Sequence, residues 1–155
     1  MRKWLYASLA MFMLAGCQTG PSVVEDKHTG QKIAVSSSAN AYTGMMDWLK
    51  VRAFHSNKNG YGVETMYSNY GWIFPQEVWS YGRKFPYAST NSQTTMCGGA
   101  GGCITLESGV VAFTKEEFEK ASQSGFEFKL VGKNGAVEGK IPAKLFLEVL
   151  AKSNI

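Results

Sequence analysis

The chain has 155 residues, the length of one domain. Its 18% charged and 13% aromatic residues exclude intrinsic disorder, which needs high charge and few rings. The formal charge of +4 is scattered rather than clustered, which excludes a nucleic-acid footprint, and no apolar run reaches the roughly 18 residues of a helical membrane span.

The amino terminus opens with a short basic region, Met1-Arg2-Lys3, and continues from Trp4 to Leu14 without a charge. A helix of that length reaches about 16 Å, too short for a hydrocarbon core of ~30 Å. The pattern is that of an export signal. Leu14-Ala15-Gly16-Cys17 then resembles the lipobox of bacterial lipoproteins; an ordinary signal peptide with a chance cysteine is the alternative. The resemblance covers residues 1 to 20. It implies that residues 1–16 are removed, that the Cys17 sulfur carries a diacylglycerol, and that the new amino group is acylated. Gln18 stands where an inner-membrane retention signal of enteric bacteria would place aspartate, which implies the outer membrane, with the domain facing the periplasm. Stable attachment needs two membrane signals, and the acyl chains on Cys17 would exceed that threshold. Removal of Arg2 and Lys3 leaves fourteen Lys+Arg against twelve Asp+Glu, a mature charge of +2.

With Cys17 committed to lipid, Cys97 and Cys103 remain. An even pair in an exported protein is expected to form a disulfide. The intervening Gly98-Gly99-Ala100-Gly101-Gly102 lets the chain turn back on itself, and closing so short a ring is worth roughly 2–2.5 kcal/mol. A metal site or a reactive thiol is the alternative, but His28 and His55 stand at no ligand spacing. No metal and no cofactor is expected.

Residues 17–30 are predicted to be a lipidated, flexible tether, and residues 31–155 a single globular domain. A short strand is expected at Lys32–Ser36 and a loop from Ser36 to Asn40. Trp48 to Phe54 alternates, with Leu49, Val51 and Ala53 on one face and Lys50 and Arg52 on the other, as in a half-buried strand. Met45, Met46, Leu49 and Ala53 also fit a helix. Asn59-Gly60 predicts a hairpin turn, and Tyr61 to Tyr67 the returning strand, with Val63, Thr65 and Tyr67 together. Asn69-Tyr70-Gly71 predicts a turn. Trp79 and Tyr81 are placed on one strand face, and Thr90 to Met96 leads into the ring. Beyond it, Ile104 and Leu106 alternate with Thr105 and Glu107, and a bulge or tight bend is expected at Gly109.

The last third is the most explicit. Thr114 and Glu117 form a capping box, with Phe113 and Phe118 in the staple positions. The helix is predicted from Lys115 to about Ser122, closed by Gly125. Phe126, Phe128 and Leu130 alternate, Lys133-Asn134-Gly135 turns, and Val137 to Ile141 returns as a hairpin. Pro142 suits the first position of a second helix, whose stripe is Leu145, Phe146, Val149 and Leu150. The fold class is therefore α+β: one antiparallel-sheet-dominated domain with helices near 115–123 and 142–152, the sheet packed against the second.

Twelve aromatic residues fall between Tyr42 and Tyr87, and five in the rest of the mature chain. Such rings fill a small core or anchor an interface. Tyr70, Trp72 and Phe74 are expected in a loop and, with Trp79, are the candidate binding residues. Glu64 and Glu107 are read as solvated strand-face charges, with a carboxylate pair the alternative. A Cys97–His55 dyad would need a reduced thiol, and anion binding by the glycine ring lacks the Lys-Ser/Thr ending of a phosphate loop. No catalytic residue is assigned. The expected function is a lipid-anchored envelope module that binds a protein partner or peptidoglycan. The alternatives are a periplasmic hydrolase of envelope glycans or peptides, and a carrier of lipid or a small apolar ligand.

Overall fold

The computed structural model describes residues 20–98 and 102–154. The signal segment 1–16, Cys17 and the ring residues 99–101 lie outside the described residues. The expected α+β, mostly antiparallel single domain is observed, with the β-structure divided into two sheets.

The first sheet has the order β1 (Ser22–Asp26), β2 (Gln31–Val35), β4 (Trp48–Ser56), β5 (Gly60–Tyr70), β9 (Cys103–Phe113) and β8 (Tyr87–Cys97). β2 pairs with the end of β4, and β3 (Ala39–Thr43) with its beginning, so two short strands share one edge. The second sheet has the order β11 (Gly135–Ile141), β10 (Phe126–Gly132), β6 (Pro75–Ser80) and β7 (Arg83–Phe85). Helices α1 (Lys115–Ser124) and α2 (Ala143–Leu150) complete the domain. No helix among the described residues is long and apolar enough to cross a membrane.

The alternation of β4 puts Leu49, Val51 and Ala53 inside, as expected. The helical alternative for 45–56 is thereby excluded. Across the core stand Val78, Leu130, Val137 and Ile141 of the second sheet. Phe118 of α1 and Phe146 and Val149 of α2 join the same cluster, each fully buried; each such side chain contributes about 1.5–3 kcal/mol. The staple rings Phe113 and Phe118 meet edge to face at 6.1 Å, and Phe118 meets Phe146 at 4.8 Å. The capping box is present in both directions: Thr114 Oγ1 accepts from Glu117 N, and Glu117 Oε2 accepts from Thr114 N. Glu148 of α2 accepts from the Ser37 amide at 2.8 Å and its hydroxyl at 2.7 Å, fastening the helix to the β2–β3 connection.

Several boundaries differ from expectation. Part of the predicted tether, Ser22–Asp26, is a strand, paired with β2 across a turn in which Asp26 accepts from His28 N and Thr29 Oγ1. The loop expected to Asn40 ends at Ser38, and β3 begins at Ala39. Tyr81 lies beyond β6, in the β6–β7 turn, where φ is +46° at Tyr81 and +81° at Gly82; positive φ at both central residues is the mark of a type I′ hairpin. Pro142 is the N-cap of α2 rather than its first residue. The irregularity expected at Gly109 is present in its pairing with β8, where Ser89 faces Gly109 and Asn91 faces Ser108, so the extra residue is Thr90 of β8; a second shift falls at Thr94/Met96, and the β5–β9 register runs without a break. Glycine is required at 109 for another reason: a Cβ there would lie 2.1 Å from Tyr87 Oη.

Candidate functional site

β5 carries the chain to Tyr70, and Gly71, at φ +100°, turns it away. The connection to β6, which begins at Pro75, is four residues long, Gly71-Trp72-Ile73-Phe74. Beside it runs β9, in the register Tyr70 opposite Ile104, Asn69 opposite Thr105 and Tyr67 opposite Glu107. That register sends Thr105 and Glu107 to the inner face, where each is 1% exposed. The solvated strand-face position expected for Glu107 is therefore corrected. A pair with Glu64 is excluded as well, because Glu64 sits on the opposite face and binds Arg52 at 2.7 Å.

Burying a carboxylate is costly unless its oxygens find donors. Glu107 finds two: Oε2 accepts from Ile73 N at 2.9 Å and Oε1 from Phe74 N at 2.8 Å. Thr105 Oγ1 is directed at Gly71 O at 2.7 Å and Asn69 O at 3.1 Å. From the second sheet, Lys133 N donates to Phe74 O, Asn134 N to Ile73 O, and Asn134 Nδ2 to Trp72 O. Gly132 permits this approach, since a Cβ there would meet Ile73 O at 2.1 Å. Segment 71–74 is thus gripped along its backbone by both sheets. Ile73 is buried as the plug.

The rings on either side of that plug face outward. Tyr70 and Phe74 are 43% and 45% exposed, and Trp72 is half-buried. Trp72 and Phe74 stack with centroids 5.8 Å apart and planes at 18°. Phe74 has φ +52°, a left-handed conformation rare for a bulky residue. Such strain, of order 1–3 kcal/mol, persists only where the surroundings enforce it, and here six hydrogen bonds to the backbone of residues 71–74 do so. Next to these rings is the tip of the β8–β9 hairpin, where Cys97 and Cys103 are joined by the expected disulfide. Tyr70, Gly71, Trp72, Gly102, Cys103 and Thr105 line a shallow hollow of about 280 Å³, and Met96 stands exposed on β8.

Trp79, the fourth candidate, is elsewhere. It lies on the outer face of the second sheet, opposite Lys129 and Lys84, with its indole N–H donated to Glu77 at 2.8 Å. Charged pairs surround it: Lys84–Glu77, Lys129–Glu138 and Lys140–Glu127. Three of the four predicted residues are therefore brought together and one is not. Sequence reasoning missed Thr105, Glu107 and Asn134, the polar groups that hold the rings in place; a glycine and a proline bracketing three apolar residues was the visible trace of them.

The other chemistry considered is dispersed. The disulfide removes Cys97 as a nucleophile. His55 stacks on Tyr61 at 4.2 Å, and burial holds its pKa below the usual imidazole value. Asp47 accepts from the Tyr67 hydroxyl at 3.0 Å, and burial together with that bond raises the Tyr67 phenol. Among the described residues no group of three His, Cys, Asp or Glu is placed to hold a metal ion. Both Glu107 oxygens are occupied by backbone donors, an arrangement suited to positioning a segment rather than to moving protons. No family model, curated protein or solved structure matches the chain.

Proposed function

We propose that the chain is an envelope lipoprotein, anchored through Cys17 in the outer membrane and facing the periplasm. Its domain binds a protein partner or peptidoglycan through Tyr70, Trp72, Phe74 and the disulfide-closed tip of β8–β9. The observation that carries the reading is the use of a buried carboxylate, Glu107, to fix a segment whose neighbouring rings are exposed. A core stabilised for its own sake would bury those rings, since each contributes more when removed from water. Rigid aromatics held in advance lose little entropy on binding. An anchor also raises the effective concentration of such a surface near anything else at the membrane.

The test places a photo-crosslinking amino acid at Tyr70 in the full chain expressed in cells, and in parallel at the exposed Leu147 of α2. Irradiation at position 70 is expected to give a discrete adduct, with a protein or with isolated sacculi, that position 147 does not give. Trp72→Ala is expected to reduce the adduct about ten-fold or more, the loss typical of an interface anchor, and Trp79→Ala to leave it unchanged. Equal labelling from both positions, or indifference to Trp72→Ala, overturns the reading.

A further inference from the structure

The two sheets have five outer strands among the described residues, β1, β3, β8, β7 and β11; β3 has no charge but lies against β11, where a Cβ on Gly139 would come within 3.1 Å of Ala41 Cβ. An open margin presents unpaired N–H and C=O groups, and proteins commonly blunt it with charge or proline. β1 carries Glu25 and Asp26, β7 carries Arg83 and Lys84, and β11 carries Glu138 and Lys140. β8 is different. Its eleven residues, Tyr87 to Cys97, include no charge and no proline, and every one from Ala88 onward is exposed. Ser89, Thr90, Asn91, Ser92, Gln93 and Thr94 make it a run of hydroxyls and amides.

We propose that β8 pairs antiparallel with β8 of a second copy of the chain, joining two seven-stranded sheets about a two-fold axis. The occupant is argued from charge. A two-fold pair sets each residue against another of the same run, and like charges placed opposite one another destabilise it. At β7 the operation would oppose Arg83 and Lys84, and at β1 Glu25 and Asp26. At β8 it opposes neutral donors and acceptors that pair with themselves. The two irregularities, at Ser89/Asn91 and Thr94/Met96, leave Asn91 to Thr94 as the regular stretch, so the axis falls there. A two-fold normal to the sheet keeps every side chain on its own face. The axis therefore passes midway between the two copies of one residue, Ser92 or Gln93, and the two Gln93 side chains lie directly or diagonally opposite. The outer strands of the joined sheet are then β1, which is charged, and β3, which lies against β11, and growth stops at two copies. This inference uses a different edge from the aromatic surface and stands apart from the function proposed for it.

The test co-expresses two differently tagged full-length copies, each with a photo-crosslinking residue at Ser92. Irradiation is expected to give a product of twice the chain mass that carries both tags. Gln93→Lys in both copies is expected to lower its yield roughly five-fold, the scale of one like-charge cross-strand pair. One Gln93→Lys copy with one Gln93→Glu copy is expected to restore it. Protease resistance of the domain, measured alongside, shows that each variant folds. A product joined to a different protein, no two-tag product, or a Lys copy that its Glu counterpart does not rescue overturns the proposal.

Discussion

The Glu107 side chain is 1% exposed and accepts from two backbone amides, those of Ile73 and Phe74. Hydrogen bonds to a charged group are worth about 1.5–3 kcal/mol each. Glu107→Gln preserves the shape but turns one acceptor into an NH₂ that faces an N–H. A loss of about 2–3 kcal/mol is expected, read as a fall in the urea midpoint, with more solvent quenching of Trp72 fluorescence before unfolding begins. An unchanged midpoint would mean that the segment is held by its contacts to Lys133 and Asn134 alone. Gly109→Ala tests a second close approach: the new methyl would enter the Tyr87 ring, and overpacking of that kind costs typically about 1–3 kcal/mol. Neither role was legible in the sequence. Alternation identifies two faces of β9 but not which is covered, and a glutamate among hydrophobic residues signals exposure unless its donors are known. Those donors come from a segment more than thirty residues away in the chain. Trp72 and Phe74, by contrast, were legible together, because Gly71 and Pro75 bracket them, whereas Tyr70, expected in the same loop, is the last residue of β5.

Among the elements, α1 and the β10–β11 hairpin follow their local signals closely. Thr114, Glu117 and Gly125 each satisfy a backbone group by local geometry, and local geometry survives any tertiary arrangement. The β1 strand did not announce itself, since Ser22–Asp26 is solvated, its Val23 and Val24 exposed beside two acidic residues, and exists by pairing with β2. The attachment of α2 supplies a pH-dependent prediction. Burial raises the Glu148 carboxyl, but the amide and hydroxyl of Ser37 and the Lys144 ammonium more than offset this and hold it below the usual carboxylate range. A group whose pKa is lower in the folded chain adds stability above its unfolded pKa and loses it as pH falls through the folded value. Wild type should therefore exceed Glu148→Gln in urea midpoint at pH 7, and the gap should close as the pH is lowered through the acid range to below the folded pKa. A constant gap would show that the contact acts through packing rather than charge.

For the whole molecule, two sheets and two helices close one core whose buried members begin at Ala34 and end at Val149. The division into two sheets was beyond the sequence, because it depends on β6 leaving the first sheet to pair with β10, a partner some fifty residues onward. The extent of that core has a direct consequence. If Cys17 is the lipid attachment, Cys17→Ser is expected to separate anchoring from folding. The full chain carrying Cys17→Ser is expected to lose incorporation of labelled palmitate and to leave the membrane fraction. It should keep its Cys97–Cys103 bond, shown by unreactive thiols before reduction, and its urea midpoint. Palmitate retained by the serine variant would place the lipid elsewhere. A variant that floats free but unfolds more easily would mean that the anchor, rather than the core from Ala34 to Val149, carries part of the stability.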